Sequence, residues 1–162
     1  VPEPSNLAAA EPRWLSADEQ RAWRAYMDGH QRLMATLNRQ LLRDNDLTFG
    51  EYRILVLLSE APGHALRMSE LADGVQSSRS RLTHQIRGME SRGLVRRSSC
   101  PRDGRGVLAQ LTDIGLRILR TAAPGHVAAV RRHFVDLLDA DQLDTIHQVF
   151  TRVDGTTAAP TA

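Results

Sequence analysis

The stretch "SSRSRLTHQIRGMESRGLVRRSSCPRDGRG", Ser77 to Gly106, spaces its first arginines at helical intervals and crowds the last ones around a glycine-bearing tip. Leu82, Ile86 and Met89 follow one another at steps of four and three, the period of a buried helical stripe, so the spacing predicts a helix from about Ser78 to Arg92. With that stripe inward, Ser80, Arg81, His84, Gln85, Arg87 and Gly88 turn toward solvent. Gly93 suits the left-handed residue that ends such a helix. "LVRRSS" and "GVLAQLT" then read as short strands, and "CPRDGRG" between them has the Pro, Asp and Gly content of a hairpin turn.

Upstream, "MSELADGV" predicts a short helix with Ser69 as its cap and Leu71, Ala72 and Val75 inward. A break at Gln76 leaves two helices joined by a tight turn, the helix-turn-helix unit, and the hairpin becomes its wing. Ser16 with Glu19 and Thr48 with Glu51 are capping-box pairs that open two earlier helices. Along the first, Trp23, Met27, His30, Leu33, Met34, Leu37 and Leu41 form one stripe ending near Asp44, longer than a single small domain can cover. Tyr52, Leu55 and Leu58 mark the second, which "APGH" terminates, and Ala65 to Arg67 fits only a minor strand. Thr112 caps a helix from Asp113 that Pro124-Gly125 is expected to kink or interrupt. Asp139 with Gln142 opens the last helix, through Leu143, Ile146, Val149 and Phe150. Both chain ends, rich in Pro or in small residues, read as loose.

Charge is uneven along this frame. Arg67 to Arg105 holds nine arginines against Glu70, Asp73, Glu90 and Asp103, a net of +5. The rest of the chain, with 12 arginines and 15 acids, nets −3. All 21 basic residues are Arg, which a GC-rich coding sequence alone would produce, so arginine content by itself identifies no partner. Position says more. Arg pairs in bidentate fashion with guanine, Gln with adenine, and His or Ser with several base edges in a major groove about 12 Å wide. Ser77, Ser78 and Arg79 place free amides and a positive dipole end where a phosphate can sit. At the tip, Arg102 or Arg105 suits a narrow minor groove, and Asp103 can hold the Arg105 fork extended. A surface ion pair in a turn explains Asp103 and Arg105 equally well. An isolated charged helical face is commonly just solvated. Here a capped short helix, a positive field and a glycine-bearing hairpin coincide, and together they favour double-stranded DNA as partner.

Other classes find little support. The 162 residues suffice for one compact domain plus helices that need a partner, and sparse aromatics (4%) leave the core to aliphatic side chains. No apolar run approaches the roughly 20 residues of a membrane span, and the start lacks a signal-peptide pattern, so the expectation is a soluble, cytoplasmic protein. Cys100 stands alone, which excludes an intrachain disulfide or a multi-cysteine zinc site, and it reads as an incidental surface thiol. His126 and His133 are seven apart without metal-ligand spacing and read as solvent-facing, so no metal site is expected. There is no phosphate loop, nucleophile elbow or paired acid grouping, hence neither an enzyme nor a cofactor is expected.

The order of elements resembles the MarR family of winged helix-turn-helix transcriptional regulators. The residues that carry the resemblance are "MSELADGVQSSRSRLTHQIRGMESRGLVRR" and "PRDGRGVLAQLTDIGLRIL", above all "MESRGLVRR", "DGR" and "LTDIG". It implies a mainly α fold with a small β wing, built as a winged helix-turn-helix domain plus N- and C-terminal dimerisation helices. The corresponding layout is an N-terminal extension over 1–15, a dimerisation helix over 16–47, the DNA-binding region over 48–111, dimerisation helices over 112–153 and a tail over 154–162. It further implies a homodimer on a palindromic operator, generally a repressor released by a small molecule. By the same resemblance Ser78, Arg79, Ser80, Arg81, Thr83 and His84 match the DNA-facing start of the recognition helix, and Asp103 and Arg105 match the wing. An oxidant-sensing branch of the family carries a cysteine early in its first helix, which this chain lacks. Effector pockets in the family lie where dimerisation helices meet the winged domain. Trp23, Tyr26 and His30 with Arg53 can line such a cleft for a phenolic or anionic aromatic compound, or Trp23 and His30 simply belong to the helix-packing stripe. A winged helix used for protein contacts alone is the rival reading of the whole.

Overall fold

The computed structural model describes residues 12–99 and 106–157. Cys100, Arg102, Asp103 and Arg105 lie outside the described residues. Helix α1 spans Ala17–Asn45. It opens on the predicted box, the Ser16 amide donating to Glu19 Oε2 at 2.7 Å and the Glu19 amide to Ser16 Oγ at 3.3 Å. Helix α2 (Phe49–Glu60) opens likewise, with Thr48 N donating to Glu51 Oε2 at 2.8 Å and Glu51 N to Thr48 Oγ1 at 3.2 Å. After a 3-10 turn over Pro62–His64 come β1 (Ala65–Arg67), α3 (Met68–Gly74), α4 (Arg79–Ser91), β2 (Val95–Ser99), β3 (Val107–Leu111), α5 (Asp113–His133) and α6 (Ala140–Thr157).

Helix α1 is shared between two compact units that part between Arg32 and Leu33. In the first, Trp23, Tyr26 and Met27 stay exposed. In the second, a single core gathers Leu41 and Leu47 at the end of α1, Ile54, Leu55 and Leu58 of α2, Leu71 of α3, the Leu82–Ile86–Met89 stripe of α4, Val95 and Ala109 of the sheet, and Leu119 of α5. Burying each such side chain contributes about 1.5–3 kcal/mol, so the apolar stripes decide which way each helix faces. Helix α6 leaves Val149, Phe150 and Val153 exposed.

The sheet is antiparallel in the order β1-β3-β2, Leu66 pairing with Ala109 and Val95 with Leu111. Its join to α5 is closely packed. Thr112 Oγ1 donates to Gly93 O at 2.6 Å and accepts the Gly115 amide at 3.0 Å, capping α5 while pinning it to the turn after α4. A Cβ on Gly115 would lie 2.1 Å from the Leu94 carbonyl oxygen. Only glycine fits there.

Four sequence expectations need correction. Ser69 is not a cap: α3 begins at Met68, one residue before it, and the Arg67 amide donates to the Glu70 carboxylate at 3.0 Å. Helix α6 continues to Thr157, so the first residues expected in the tail are helical. Pro124-Gly125 does not interrupt α5. A proline inside a helix costs about 3 kcal/mol, but Leu119, Ala122 and His126 are buried on both sides of it and hold the helix together. His126 is therefore not solvent-facing: its ring packs 4.4 Å from Tyr52 and 5.9 Å from Phe49.

Two outcomes follow from this packing. Gly115→Ala must push either α5 or the Leu94 backbone aside, and it is expected to lower stability by about 1–3 kcal/mol, the cost of an overpacked site; an unchanged urea midpoint would contradict the contact. Burial pushes the His126 imidazole below its ordinary 6.5, so the folded state keeps it neutral while the unfolded chain takes up a proton. Its contribution is thus complete above pH 6.5 and lost as pH falls below that. Melting temperatures of the parent should drop from pH 7.5 to 5.5 by more than those of His126→Leu; parallel drops would refute the assignment.

Candidate nucleic-acid interface

Helix α4 is placed by its two ends and its buried side. At the start, Ser78 takes an extended conformation and its Oγ accepts the Arg81 amide at 3.3 Å, satisfying one free donor of the first turn. Before it, Gln76 adopts φ +52°, which turns the chain between α3 and α4. At the finish, Gly93 (φ +71°) donates to Glu90 O at 2.9 Å and Leu94 N to Met89 O at 3.0 Å, the paired bonds of a Schellman turn. Leu82, Ile86 and Met89 are fully buried between these ends.

The opposite side of the helix is what a partner would meet. Ser78, Arg79, Ser80, Arg81, His84 and Arg87 are exposed along it, and the Arg79, Arg81 and Arg87 guanidinium groups have no ion-pair partner among the described residues. Thr83 is half-buried, its hydroxyl donating to Arg79 O at 2.7 Å. Gln85 departs from expectation. It is half-buried rather than outward, and its Nε2 lies 2.9 Å from where a Cβ on Gly50 of α2 would be.

The wing strands add cations that sequence spacing did not single out. Arg97 on β2 pairs with Glu90 at the end of α4, Nη2 to Oε2 at 2.7 Å, while its backbone amide donates to Glu90 Oε1 at 3.0 Å. These bonds hold the Glu90 carboxyl below its usual range. They also tie the wing to the recognition helix. Arg96 beside it is steadied by Gln110 across the sheet at 3.0 Å. Between α4 and the wing lies a cleft of about 440 Å³ lined in part by Arg79, Thr83 and Arg97. The only sequence clue to the Glu90–Arg97 tie was the density of charge in "MESRGLVRR"; a contact seven residues apart across a turn has no periodic signature.

The residues proposed for an effector fall in different elements. Trp23, Tyr26 and His30 stand in sequence along α1, with ring centroids 5.8 Å apart at each step. Arg53 lies on α2, where its guanidinium donates to Gly74 O at 3.1 Å.

A capped helix-turn-helix with a three-stranded sheet and an arginine-lined exposed helix face defines a winged helix-turn-helix protein. The MarR family model matches residues 47–107. AbsC, a MarR family transcriptional regulator from Streptomyces coelicolor, is 42% identical with a TM-score of 0.88, the match covering 92% of this chain and 100% of that one. Sco3205, a MarR family regulator of the same organism solved in complex with DNA, is 43% identical with a TM-score of 0.88, covering 94% of each. The transcriptional repressor YetL of Bacillus subtilis (strain 168) is 31% identical over 93 residues, 56% of this chain and 56% of that protein, so the chain spans little more than half of that relative. The chain belongs to the MarR family of transcriptional regulators. Among its described residues no helix is long and apolar enough to cross a membrane.

The cap on α4 is open to a direct check. Ser78→Ala should cost about 1 kcal/mol of stability, read from chemical denaturation, whereas Ser77→Ala at the neighbouring position should cost less; equal losses would remove Ser78 from the capping role.

Proposed function

We propose that this chain acts as a homodimer that binds double-stranded DNA sequence-specifically, with α4 in the major groove and the β2–β3 wing along the backbone and minor groove. The observation that carries the reading is the arc of Ser78, Arg79, Ser80, Arg81, His84 and Arg87 on the exposed side of a helix whose other side is fully buried. A helix held this way can present its face to a groove as a rigid unit. Thr83 and Gln85 flank the arc, and Arg102, Asp103 and Arg105 join it on sequence alone. The DNA complex of Sco3205 supports the same reading.

The finer features of the proposal rest on separate observations. Exposed Trp23 and Met27 on α1, and exposed Val149, Phe150 and Val153 on α6, support a second copy as their cover. Two copies then set two recognition helices about 34–36 Å apart, matching a palindromic operator. The regulator is proposed to be a repressor, released by a phenolic or anionic aromatic effector that Trp23, Tyr26 and His30 of α1 would contact. A ligand of that kind acts by changing the separation of the two reading heads.

Sedimentation, together with duplex binding at several salt concentrations, tests the core of the proposal. DNA affinity should fall with log salt at a slope of about −0.9 per phosphate contacted, and a module that docks only proteins would show no slope. Arg81→Ala is expected to relax preference at one half-site position by about 1–3 kcal/mol, while Arg105→Ala weakens all duplexes evenly. Equal losses for Arg81→Ala on selected and random duplexes would remove its base-reading role. Titration with salicylate-like compounds, followed by tryptophan fluorescence and by operator affinity, tests the effector; no change in either would remove it.

A further inference from the structure

The C-terminal end of α4 is fastened to a different part of the molecule by one side chain. Arg92, the residue that caps α4, sends its guanidinium across to the corner between α1 and α2. There Nη2 donates to the Asp46 carbonyl and approaches Asp46 Oδ2 at 3.4 Å, while Nη1 donates to Glu51 Oε1 at 3.0 Å. Asp46 is itself in the left-handed region, φ +51°, closing α1 as Leu47 N reaches back to Leu41 O at 3.4 Å. The other oxygen of Glu51 is the one that accepts the Thr48 amide and hydroxyl at the start of α2, at 2.8 and 2.9 Å. Three helix ends therefore meet at one arginine and one carboxylate. The Glu51 side chain is only 14% exposed and that of Arg92 34%, so this pair is better shielded than the surface pairs elsewhere on the chain.

The position of this knot matters because the groups proposed to read DNA lie at the other end of the same helix. Helix α4 has 13 residues and is about 20 Å long, so a swing of about 10° about its C-terminal end would carry Ser78 about 3.5 Å and Arg81 about 3 Å. That exceeds the tolerance of a hydrogen bond to a base edge. It matters far less to guanidinium groups that sense phosphate through a screened field about 10 Å deep.

We infer that Arg92 is a positioning residue for sequence recognition: through Asp46 and Glu51 it sets the direction of α4 against the α1–α2 corner, and it governs specific binding without governing general affinity for DNA. The inference rests on the DNA-binding reading above. It makes Glu51, an acid distant from the reading face, a determinant of specificity.

The experiment compares the full-length protein with Arg92→Gln, Arg92→Lys and Glu51→Gln on two duplexes, one selected by the parent from a random library and one of scrambled sequence. Glu51→Gln is the decisive variant. Glutamine at that helix position can still close the capping box, and the change makes the protein more positive, so a pure field effect would tighten both duplexes. The positioning role instead predicts that Glu51→Gln and Arg92→Gln each weaken the selected duplex by about tenfold, within the range that coupled contacts reach, and change the scrambled one by less than about threefold. Arg92→Lys should recover part of the loss, and combining Arg92→Gln with Glu51→Gln should cost no more than either alone. Circular dichroism and melting temperature establish that each variant is folded, and Glu51→Gln and Arg92→Lys keep the comparison available should Arg92→Gln fold poorly. Tighter binding of both duplexes by Glu51→Gln, or equal losses on both by Arg92→Gln, overturns the inference while the DNA reading stands. A parent protein that binds neither duplex overturns both.

Discussion

The arginine face that this protein can offer a partner depends on α4 burying Leu82, Ile86 and Met89. Those three side chains together contribute several kcal/mol, since each fully buried Leu, Ile or Met is worth about 1.5–3 kcal/mol. Arginine on the far side gains nothing comparable from turning inward, because a buried, unpaired guanidinium is prohibitive. The hydrophobic stripe thus fixes the rotation of α4, and rotation decides that Arg79, Arg81 and Arg87 face outward together. The exposed arginine face is a consequence of the core.

Rotation alone does not place a helix. Its ends are set by polar contacts that cost little to make and are specific in direction. Ser78 closes the first turn, Gly93 the last, and Thr112 binds the carbonyls of Gly93 and Leu94 while opening α5. The Gly115 contact then brings α5 against the Leu94 backbone with no room for a side chain. In this way the recognition helix, the wing and α5 share one short stretch of backbone around Gly93, and displacement of one is felt by the others. Arg97 and Arg92 add fastenings on either side, one to the wing and one to the α1–α2 corner.

The surface divides by chemistry along the chain. Net positive charge is concentrated on α4 and β2, where Arg79, Arg81, Arg87, Arg96 and Arg97 face a single acid, Glu90, while α1 and α6 expose Trp23, Met27, Val149, Phe150 and Val153. The first suits a DNA-binding regulator of the MarR family, and the second is the ground for the dimer proposed above. Helix α5, unbroken from Asp113 to His133 in spite of Pro124, carries Leu119 in the winged-domain core and His126 against Phe49 and Tyr52.

The sequence by itself determined those features that are local or periodic. The capping pairs at Ser16, Thr48 and Asp139 were legible because their partners lie three residues apart and chemistry dictates the pairing. The inward stripe of α4, the turn at Gly93 and the Thr112 cap were legible for the same reason. What only the tertiary structure decided are contacts between residues distant in sequence, where no spacing rule applies. Arg92 reaches back 46 residues to Asp46, Gln85 is drawn against Gly50, and His126 is enclosed by rings from α2. Pro124 stays helical because packing on both sides outweighs the bond it cannot make. Local propensity marks where an element begins, but burial against distant neighbours decides which of its side chains remain available for function.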